Sequence, residues 1–298
     1  MSSSGAEADA VCANCGIAGV DDIKLEEDCD GCDLVKYCSN DCQENHRGQH
    51  EEECKKRKAE LRDRDLFEQP DENYLGECPL CFLPMSLDPR KSTLMSCCCK
   101  VICAGCSYAN KNREIEAGLE QRCAFCREPL PKSEEDVLKR LTKRIKKNDP
   151  DAMREMGKNH HDEGDYDGAL EYFTKAAELG DALAHHYLSV MYYRGEGVEK
   201  DEEKKVYHYE KAAIGGHPGA RYSLGYIEER NGNIKRAVKH FIIAAKLGEE
   251  KSMKNLWDHF QQETSRKRTW TLLFAYTGLL LTKRKVSREK LPKRVCFV

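Results

Sequence analysis

The chain has 298 residues, a formal net charge of −3 and 34% charged residues. A balance so close to neutral gives no reason to expect a nucleic-acid or membrane partner. The first ten residues, MSSSGAEADA, contain neither a basic segment nor an apolar core, and no apolar run reaches the length of a membrane span. We therefore expect a cytoplasmic or nuclear protein.

Cysteine divides the chain into two unlike parts. Sixteen of the seventeen cysteines precede residue 127, whereas residues 150–260 contain none. In a reducing compartment, closely spaced cysteines are more often metal ligands than disulfides. The sequence therefore predicts metal-binding modules first and a cysteine-free domain after them.

Residues 12–54, which follow an N-terminus predicted to be disordered (residues 1–11), have the spacing of zinc ligands. Pairs of cysteines with two or three intervening residues are followed by a histidine–cysteine pair, which makes eight ligands: Cys12, Cys15, Cys29, Cys32, Cys38, Cys42, His50 and Cys54. A structural zinc ion takes four thiolate or imidazole donors, so these residues predict two closed sites.

The segment YCSNDCQENHRGQHEEEC, residues 37–54, resembles the MYND zinc finger. The resemblance implies that the two sites interleave. One ion would be held by Cys12, Cys15, Cys38 and Cys42, and the other by Cys29, Cys32, His50 and Cys54. His46 competes with His50, but the final step to Cys54 favours His50.

Gln43 matches a residue that the MYND family associates with peptide contact. Fingers that bind proline-rich peptides usually carry tryptophan where this chain has Arg47. The finger is therefore either a peptide-binding module or one that only folds the N-terminal part of the chain.

A second group of cysteines follows a charged linker, residues 55–77. Three pairs have two intervening residues, and we call each such pair a knuckle: Cys78 with Cys81, Cys103 with Cys106, and Cys123 with Cys126. Two more ligands would complete two zinc sites. The run of Cys97, Cys98 and Cys99 offers three.

The order of these pairs resembles a RING finger, in which the first and third pairs share one zinc ion and the second and fourth share another. No histidine lies between residues 78 and 126, so the resemblance implies an all-cysteine variant. Cys97 serves in either choice of second pair, and Cys98 is preferred to Cys99 as its partner. Both fingers together would hold four zinc ions.

A RING finger binds a ubiquitin-conjugating enzyme and acts by positioning its thioester. The resemblance assigns this docking to Leu80, Arg127 and Pro129, with Ile115 or Leu119 as a further contact. The alternative is that Leu80 only packs the small core and Arg127 is only solvated, because many RING-like modules serve assembly alone.

Beyond a basic linker helix, residues 128–149, the chain is repetitive. EYFTKAAELG (171–180), YHYEKAAIGG (207–216) and KHFIIAAKLG (239–248) align, and their closing glycines are 36 and then 32 residues apart. The loop RGEGVEKD (194–201) accounts for the difference. Apolar residues recur with a helical period, as in Ala169, Tyr172, Phe173, Ala176 and Ala177.

These units resemble Sel-one-like short tetratricopeptide repeats, and we assign them to residues 150–262. Such helix pairs stack into a solenoid whose concave surface typically binds a partner protein. The basic and apolar tail, residues 263–298, departs from the pattern. It is either the product of a shifted reading frame, which we favour, or an interfacial or partner-binding helix.

The sequence thus predicts a mainly α protein with two small cross-brace zinc modules, MYND-like and RING-like, followed by an α-helical repeat solenoid. The expected function is that of a zinc-binding protein-interaction adaptor, a RING-type ubiquitin ligase whose repeats select a client protein. The alternative is a non-enzymatic scaffold for complex assembly.

Overall fold

The computed structural model describes residues 13, 27–28, 36–37 and 39–265, and the chain divides into two compact units, Met1–Glu68 and Gln69–Val298. Five predicted zinc ligands and nearly all of the tail lie outside the described residues: Cys12, Cys15, Cys29, Cys32, Cys38 and residues 266–298. Within the described residues the chain forms ten α-helices and two small antiparallel sheets, so the predicted mainly α fold is confirmed.

The described part of the first unit consists of a two-stranded sheet and a long helix. Strand β1 (Glu27–Asp28) pairs with β2 (Lys36–Tyr37), and helix α1 spans Asn40–Phe67. The helix begins where the Ser39 side chain accepts a hydrogen bond from the N–H of Cys42, which satisfies one backbone donor of the first turn. It continues through much of the charged stretch that follows the first cysteine group.

The second unit opens with a cysteine-rich module. Strands β3 (Ser92–Met95) and β4 (Lys100–Cys103) form an antiparallel hairpin, and α2 (Ala104–Glu116) follows directly. The buried apolar side chains of this module are few, and they are packed among cysteines: Met85, Met95 and Ile102. A core this small gives limited hydrophobic stabilisation, so the module depends on another source of stability.

Eight further helices complete the described chain. They are short and regular in length, and they run in order as α3 (Glu134–Ile145), α4 (Pro150–Asp162), α5 (Tyr166–Glu178), α6 (Ala182–Arg194), α7 (Glu202–Ile214), α8 (Pro218–Arg230), α9 (Ile234–Lys246) and α10 (Glu250–Ser265). From α4 to α9 they form three helical hairpins. No helix in the described ranges is long and apolar enough to cross a membrane.

Small residues allow the two helices of a hairpin to approach closely. A Cβ atom added at Gly157 would lie 2.8 Å from Cδ1 of Phe173, and one added at Gly225 would lie 2.6 Å from Cε1 of Phe241. Both phenylalanines are fully buried. The glycines therefore leave room for the aromatic rings around which the first and third hairpins pack.

The segment of residues 69–77, which we call the bridging segment, packs along the repeats. The Tyr74 N–H donates to the carbonyl of Gly216 at 3.2 Å, and the Tyr74 ring centroid lies 4.8 Å from that of His217. A Cβ atom at Gly216 would lie 2.9 Å from the carbonyl oxygen of Glu72, so glycine is needed at this contact. Gln69 accepts a hydrogen bond from Lys246 at 2.7 Å, further along the solenoid. The bridging segment is thus part of the repeat structure.

The side chain of His217 caps the N-terminus of helix α8, and its protonation makes the stability of the fold depend on pH. Its Nδ1 atom accepts a hydrogen bond from the Ala220 N–H at 3.0 Å, which requires a neutral ring. Burial, together with neighbouring His186, holds the pKa of His217 well below its usual value. The unfolded chain binds a proton here below about pH 6.5 and the folded chain does not, so stability is fully present above that pH and falls as the pH falls.

We expect the free energy of unfolding to decrease between pH 7 and pH 5 through this residue, by at most about 2 kcal/mol, the limit for uptake of one proton by the unfolded chain. His217→Asn retains an acceptor suited to a helix start but does not titrate, so this variant should lose correspondingly less over the same range. Urea unfolding followed by circular dichroism at the two pH values measures the difference. Equal losses in the two proteins would contradict this role of His217.

Candidate metal centre

The first four-thiol cluster joins the first and second knuckles. It comprises Cys78, Cys81, Cys103 and Cys106, whose sulfur atoms all lie within 4.8 Å of one another. Cys103 ends β4 and precedes helix α2, where its sulfur accepts a hydrogen bond from the Cys106 N–H at 3.4 Å. The hairpin and the helix start therefore place the second knuckle against the first.

The second four-thiol cluster joins the cysteine run to the last knuckle. It comprises Cys97, Cys98, Cys123 and Cys126, again within 4.8 Å. Two of its sulfur atoms, those of Cys98 and Cys123, are 3.9 Å apart, and those of Cys97 and Cys126 are 3.3 Å apart. Because the partners alternate along the chain, the two clusters interleave across the module.

The sequence left Cys98 and Cys99 as competing partners of Cys97, and the structure places them in different surroundings. Cys98 lies in the second cluster. Cys99 has a positive φ of 52° and is buried among Leu141, Ala152 and Met156, outside that cluster. The two neighbouring thiols thus have different structural roles.

The donor sets suit zinc. Two sulfur atoms bound about 2.3 Å from one tetrahedral ion lie about 3.8 Å apart. The sulfur atoms of Cys81 and Cys103 are 3.8 Å apart, and the Cys98–Cys123 distance is close to the same value. Each cluster offers four thiols and leaves no position for a reacting water, which is typical of a structural rather than a catalytic site.

Backbone donors favour one thiolate in each cluster. At Cys78, burial raises the pKa, but N–H groups of Cys103, Leu80 and Cys81 donate to the sulfur and the pKa falls to about 7. At Cys123, burial is likewise outweighed by N–H groups of the last knuckle, and the pKa is lowered. Thiolate is the form that binds zinc, so these donors prepare the two clusters for a cation.

At two neighbouring cysteines, burial outweighs the hydrogen bonds that reach the sulfur. It raises the pKa of Cys98 to about 11 and that of Cys99 to about 12. For Cys98, an adjacent zinc ion would supply the missing positive charge. Cys99 instead lies in the apolar joint between the module and the first repeat, where a neutral thiol packs as a small hydrophobic group.

Helix α1 carries the described ligands predicted for the first finger: Cys42, His50 and Cys54. His50 and Cys54 are four residues apart and therefore lie on the same face of the helix. Gln43 is also on α1 and is partly exposed. The other five predicted ligands of this finger are among the residues that the structure does not describe.

The predicted docking residues surround the knuckles of the second group. Leu80 is exposed at 37% in the turn of the first knuckle, and Pro129 forms an isolated bridge with Arg122. Arg127 follows the last cysteine with a φ of 65°. Both Ile115 and Leu119 are exposed.

Two polar residues of α2 that the sequence did not single out engage Arg127. Its Nη1 atom donates to Oδ1 of Asn110 at 3.3 Å and lies 3.8 Å from Oε1 of buried Glu114. Glu114 also accepts a hydrogen bond from the Arg122 N–H at 3.0 Å. These residues belong to a charged helix face in the sequence, so nothing in their pattern marked them.

Family models match both ends of the described architecture. The model of the MYND finger matches residues 12–54, and that of the Sel1 repeat matches residues 150–181, 182–217 and 219–249. The chain carries a MYND finger and three Sel1 repeats. The cysteine-rich module of residues 78–127 lies outside both matches. The MYND finger and the Sel1 repeats together indicate a zinc-binding protein-interaction adaptor.

Three known proteins show local similarity. Chitin synthase regulatory factor 4 of Schizosaccharomyces pombe is 29% identical over 89 residues, which are 30% of this chain and 14% of that protein. A Sel1 repeat protein from Oxalobacter formigenes is 32% identical, with 41% of this chain and 97% of that chain covered and a TM-score of 0.38. The protective antigen c5321 of uropathogenic Escherichia coli, with an SLR fold, is 23% identical, with coverage of 57% and 38% and a TM-score of 0.39.

A matched pair of substitutions distinguishes the two neighbouring thiols. We expect Cys98→Ser to lower the zinc content by about one ion per chain, because a structural site with three thiolates binds zinc much more weakly. Cys99→Ser should keep the full zinc content and reduce stability only moderately. Native mass spectrometry of both variants beside the unmodified chain measures this, and zinc loss in Cys99→Ser alone would contradict the assignment.

Proposed function

We propose that the chain is a RING-type ubiquitin ligase adaptor: the module of residues 78–127 recruits a ubiquitin-conjugating enzyme, and the repeats hold a client protein. The observation that carries the proposal is the pair of interleaved four-thiol clusters, which supports the pairing that a RING finger requires. We assign two zinc ions to these clusters and two to the MYND finger, four in all.

The first knuckle presents an apolar surface suited to docking. Besides Leu80, the side chains of Phe82 and Leu83 are exposed, and Phe82 is exposed at 71%. Phe125, in the last knuckle, is exposed as well. A group of large apolar side chains exposed to solvent usually marks a surface that binds another protein. This surface would receive the conjugating enzyme.

Catalysis would then come from positioning alone. Two closed zinc sites offer no nucleophile or metal-bound water, so the module would contribute by restricting the orientation of the bound thioester. Arg127, with its guanidinium beside the last knuckle, would donate hydrogen bonds to the docked partners. Its carboxylate partner Glu114 would fix where that guanidinium points.

The client would bind on the repeats. A groove of about 570 Å³ lies between α6, α7 and α8 and is lined by four tyrosines together with charged and polar side chains. The tyrosines are Tyr193, Tyr209, Tyr222 and Tyr226. Tyrosine combines a large apolar ring with a hydrogen-bonding group and is enriched in protein interfaces, so this groove is the surface that we assign to the client.

A non-enzymatic scaffold is the second candidate, and one observation favours it. The guanidinium of Arg127 is already engaged by Asn110 and Glu114 within the module. If those contacts persist when a partner docks, Arg127 would stabilise the module and leave no donor for the conjugating enzyme.

An autoubiquitination assay with the zinc-loaded chain and a panel of conjugating enzymes separates the two candidates. We expect chain formation with at least one enzyme and a decrease of about tenfold or more in Leu80→Glu, because a buried charge at a docking contact costs more than 1.4 kcal/mol. Leu179→Glu, at an exposed leucine of the repeats, is the matched control and should be unaffected.

Zinc content must stay unchanged in both leucine variants for the comparison to hold. Arg127→Ala provides a second test of the same surface. Absence of activity with every enzyme would leave the scaffold as the function. Full activity in both Leu80→Glu and Arg127→Ala would contradict docking at this surface.

A further inference from the structure

A second cleft, of about 620 Å³, lies between the cysteine-rich module and the start of the repeats. Its walls come from strand β3, helix α3 and helix α4, together with Leu130 and Pro131. The cleft is separate from the tyrosine-lined groove and from the knuckle residues assigned to the conjugating enzyme. The inference drawn from it does not rest on the proposed function.

One wall of this cleft is the edge of a β-strand. Thr93, Leu94 and Met95 of β3 line it in succession, followed by Ser96 and Cys97 of the turn after the strand. Successive side chains of a strand point to opposite faces of the sheet, so a surface that contacts only one face would touch every second residue. A cleft that touches consecutive residues therefore lies along the edge of the strand, where the backbone is accessible. The sheet has two strands, β3 and β4, and β4 covers only one edge of β3.

The uncovered edge of β3 has backbone groups available for pairing. In an antiparallel pair, alternate residues direct their N–H and C=O groups away from the partner strand. Within residues 39–265, no backbone hydrogen bond outside the β3–β4 ladder reaches Thr93 or Leu94, and one of these two neighbours directs its N–H and C=O groups away from β4. An exposed edge of this kind is a template for one further strand.

The remaining walls define what kind of strand would fit. Apolar side chains line the cleft opposite β3: Val137, Leu138 and Leu141 of α3. Four charged residues also line it, and three of them are acidic: Glu134, Glu155, Asp162 and Lys158. Glu155 is paired with Arg154, and Asp162 lies 3.8 Å from Nδ1 of His161. Glu134 and Asp162 together still outweigh the single cation of Lys158, so the cleft favours a basic ligand.

We propose that this cleft binds a short extended peptide of a partner protein, which adds a strand to the free edge of β3. The peptide has apolar residues at alternate positions, which face α3, and a lysine or arginine that meets Glu134 and Asp162. Backbone hydrogen bonds to β3 provide affinity, while the apolar wall and the two carboxylates select the sequence. The site is built jointly by the module and the first repeat.

The test uses a random peptide library displayed on phage, selected against the full zinc-loaded chain. We expect the recovered peptides to alternate apolar and polar residues and to contain a basic residue. In the double variant Glu134→Lys with Asp162→Lys, the affinity of a recovered peptide should fall by about tenfold or more, because two attractive charges become repulsive. Glu202→Lys, at the tyrosine-lined groove, is the matched control and should bind normally.

Hydrogen exchange locates the bound peptide. Addition of the peptide should slow amide exchange in residues 92–97, because strand addition protects the edge of β3. Recovery of no peptide overturns the proposal. It is also overturned if binding survives the double variant, if it is lost in Glu202→Lys, or if protection appears only in α6 to α8.

Two other occupants are tested in the same preparation. A photoreactive amino acid at position 138 of the full chain, irradiated with the recovered peptide present, should crosslink to that peptide. Mass spectrometry of the crosslinked product identifies which molecule or segment occupied the cleft. Crosslinks to residues 266–298 or to a second copy of the chain, undiminished by peptide, would assign the cleft to the protein itself and overturn the proposal.

Discussion

The association of eight thiols into two interleaved clusters is the constraint on which the cysteine-rich module depends. Between residues 78 and 127 the buried apolar side chains that are not cysteines are few, with Met85, Met95 and Ile102 at the centre. Such a core is too small to fix a hairpin, a helix and several turns in one arrangement. Coordination of two cations would tie four separate parts of the module to one another, since each cluster joins two of them.

The cysteine-rich module is also attached to the repeats. Cys99 follows the second cluster directly and packs with Leu141, Ala152 and Met156 at the start of the solenoid. The bridging segment, on the other side of the first knuckle, contacts the solenoid at Gly216 and His217. The module is therefore held to the repeats at both of its ends. A partner bound to the module and a client bound to the repeats would keep a defined distance, which is what an adaptor requires.

Much of this arrangement was accessible from the sequence because its determinants are local or periodic. The resemblance of the cysteine order to a RING finger implied which pairs meet, and the recurring Lys-Ala-Ala and closing glycines predicted the helical hairpins. The structure places the thiols in two four-membered clusters and forms three hairpins from α4 to α9. The MYND and Sel1 assignments are confirmed, whereas the RING assignment remains a prediction that the cluster geometry supports.

Other features depend on contacts between residues far apart in the chain. Cysteine spacing does not separate Cys98 from Cys99, because either neighbour can serve as the partner of Cys97. The packing of Cys99 against α3 and α4 separates their surroundings. Residues 69–77 have the composition of a solvated linker, and their contacts with Gly216 and Lys246 cannot be deduced from that composition. Glu114 likewise acquires its role only when the last knuckle folds against α2.

Hydrogen exchange before and after zinc removal tests the central claim most directly. The account predicts that a chelator, once zinc release has been measured, makes the amides of residues 92–103 exchange at the rate of an unstructured chain. The amides of α8 and α9, held by their own helical hydrogen bonds, should stay protected. Continued protection of residues 92–103 in zinc-free protein would contradict the claim that the two clusters hold the module together.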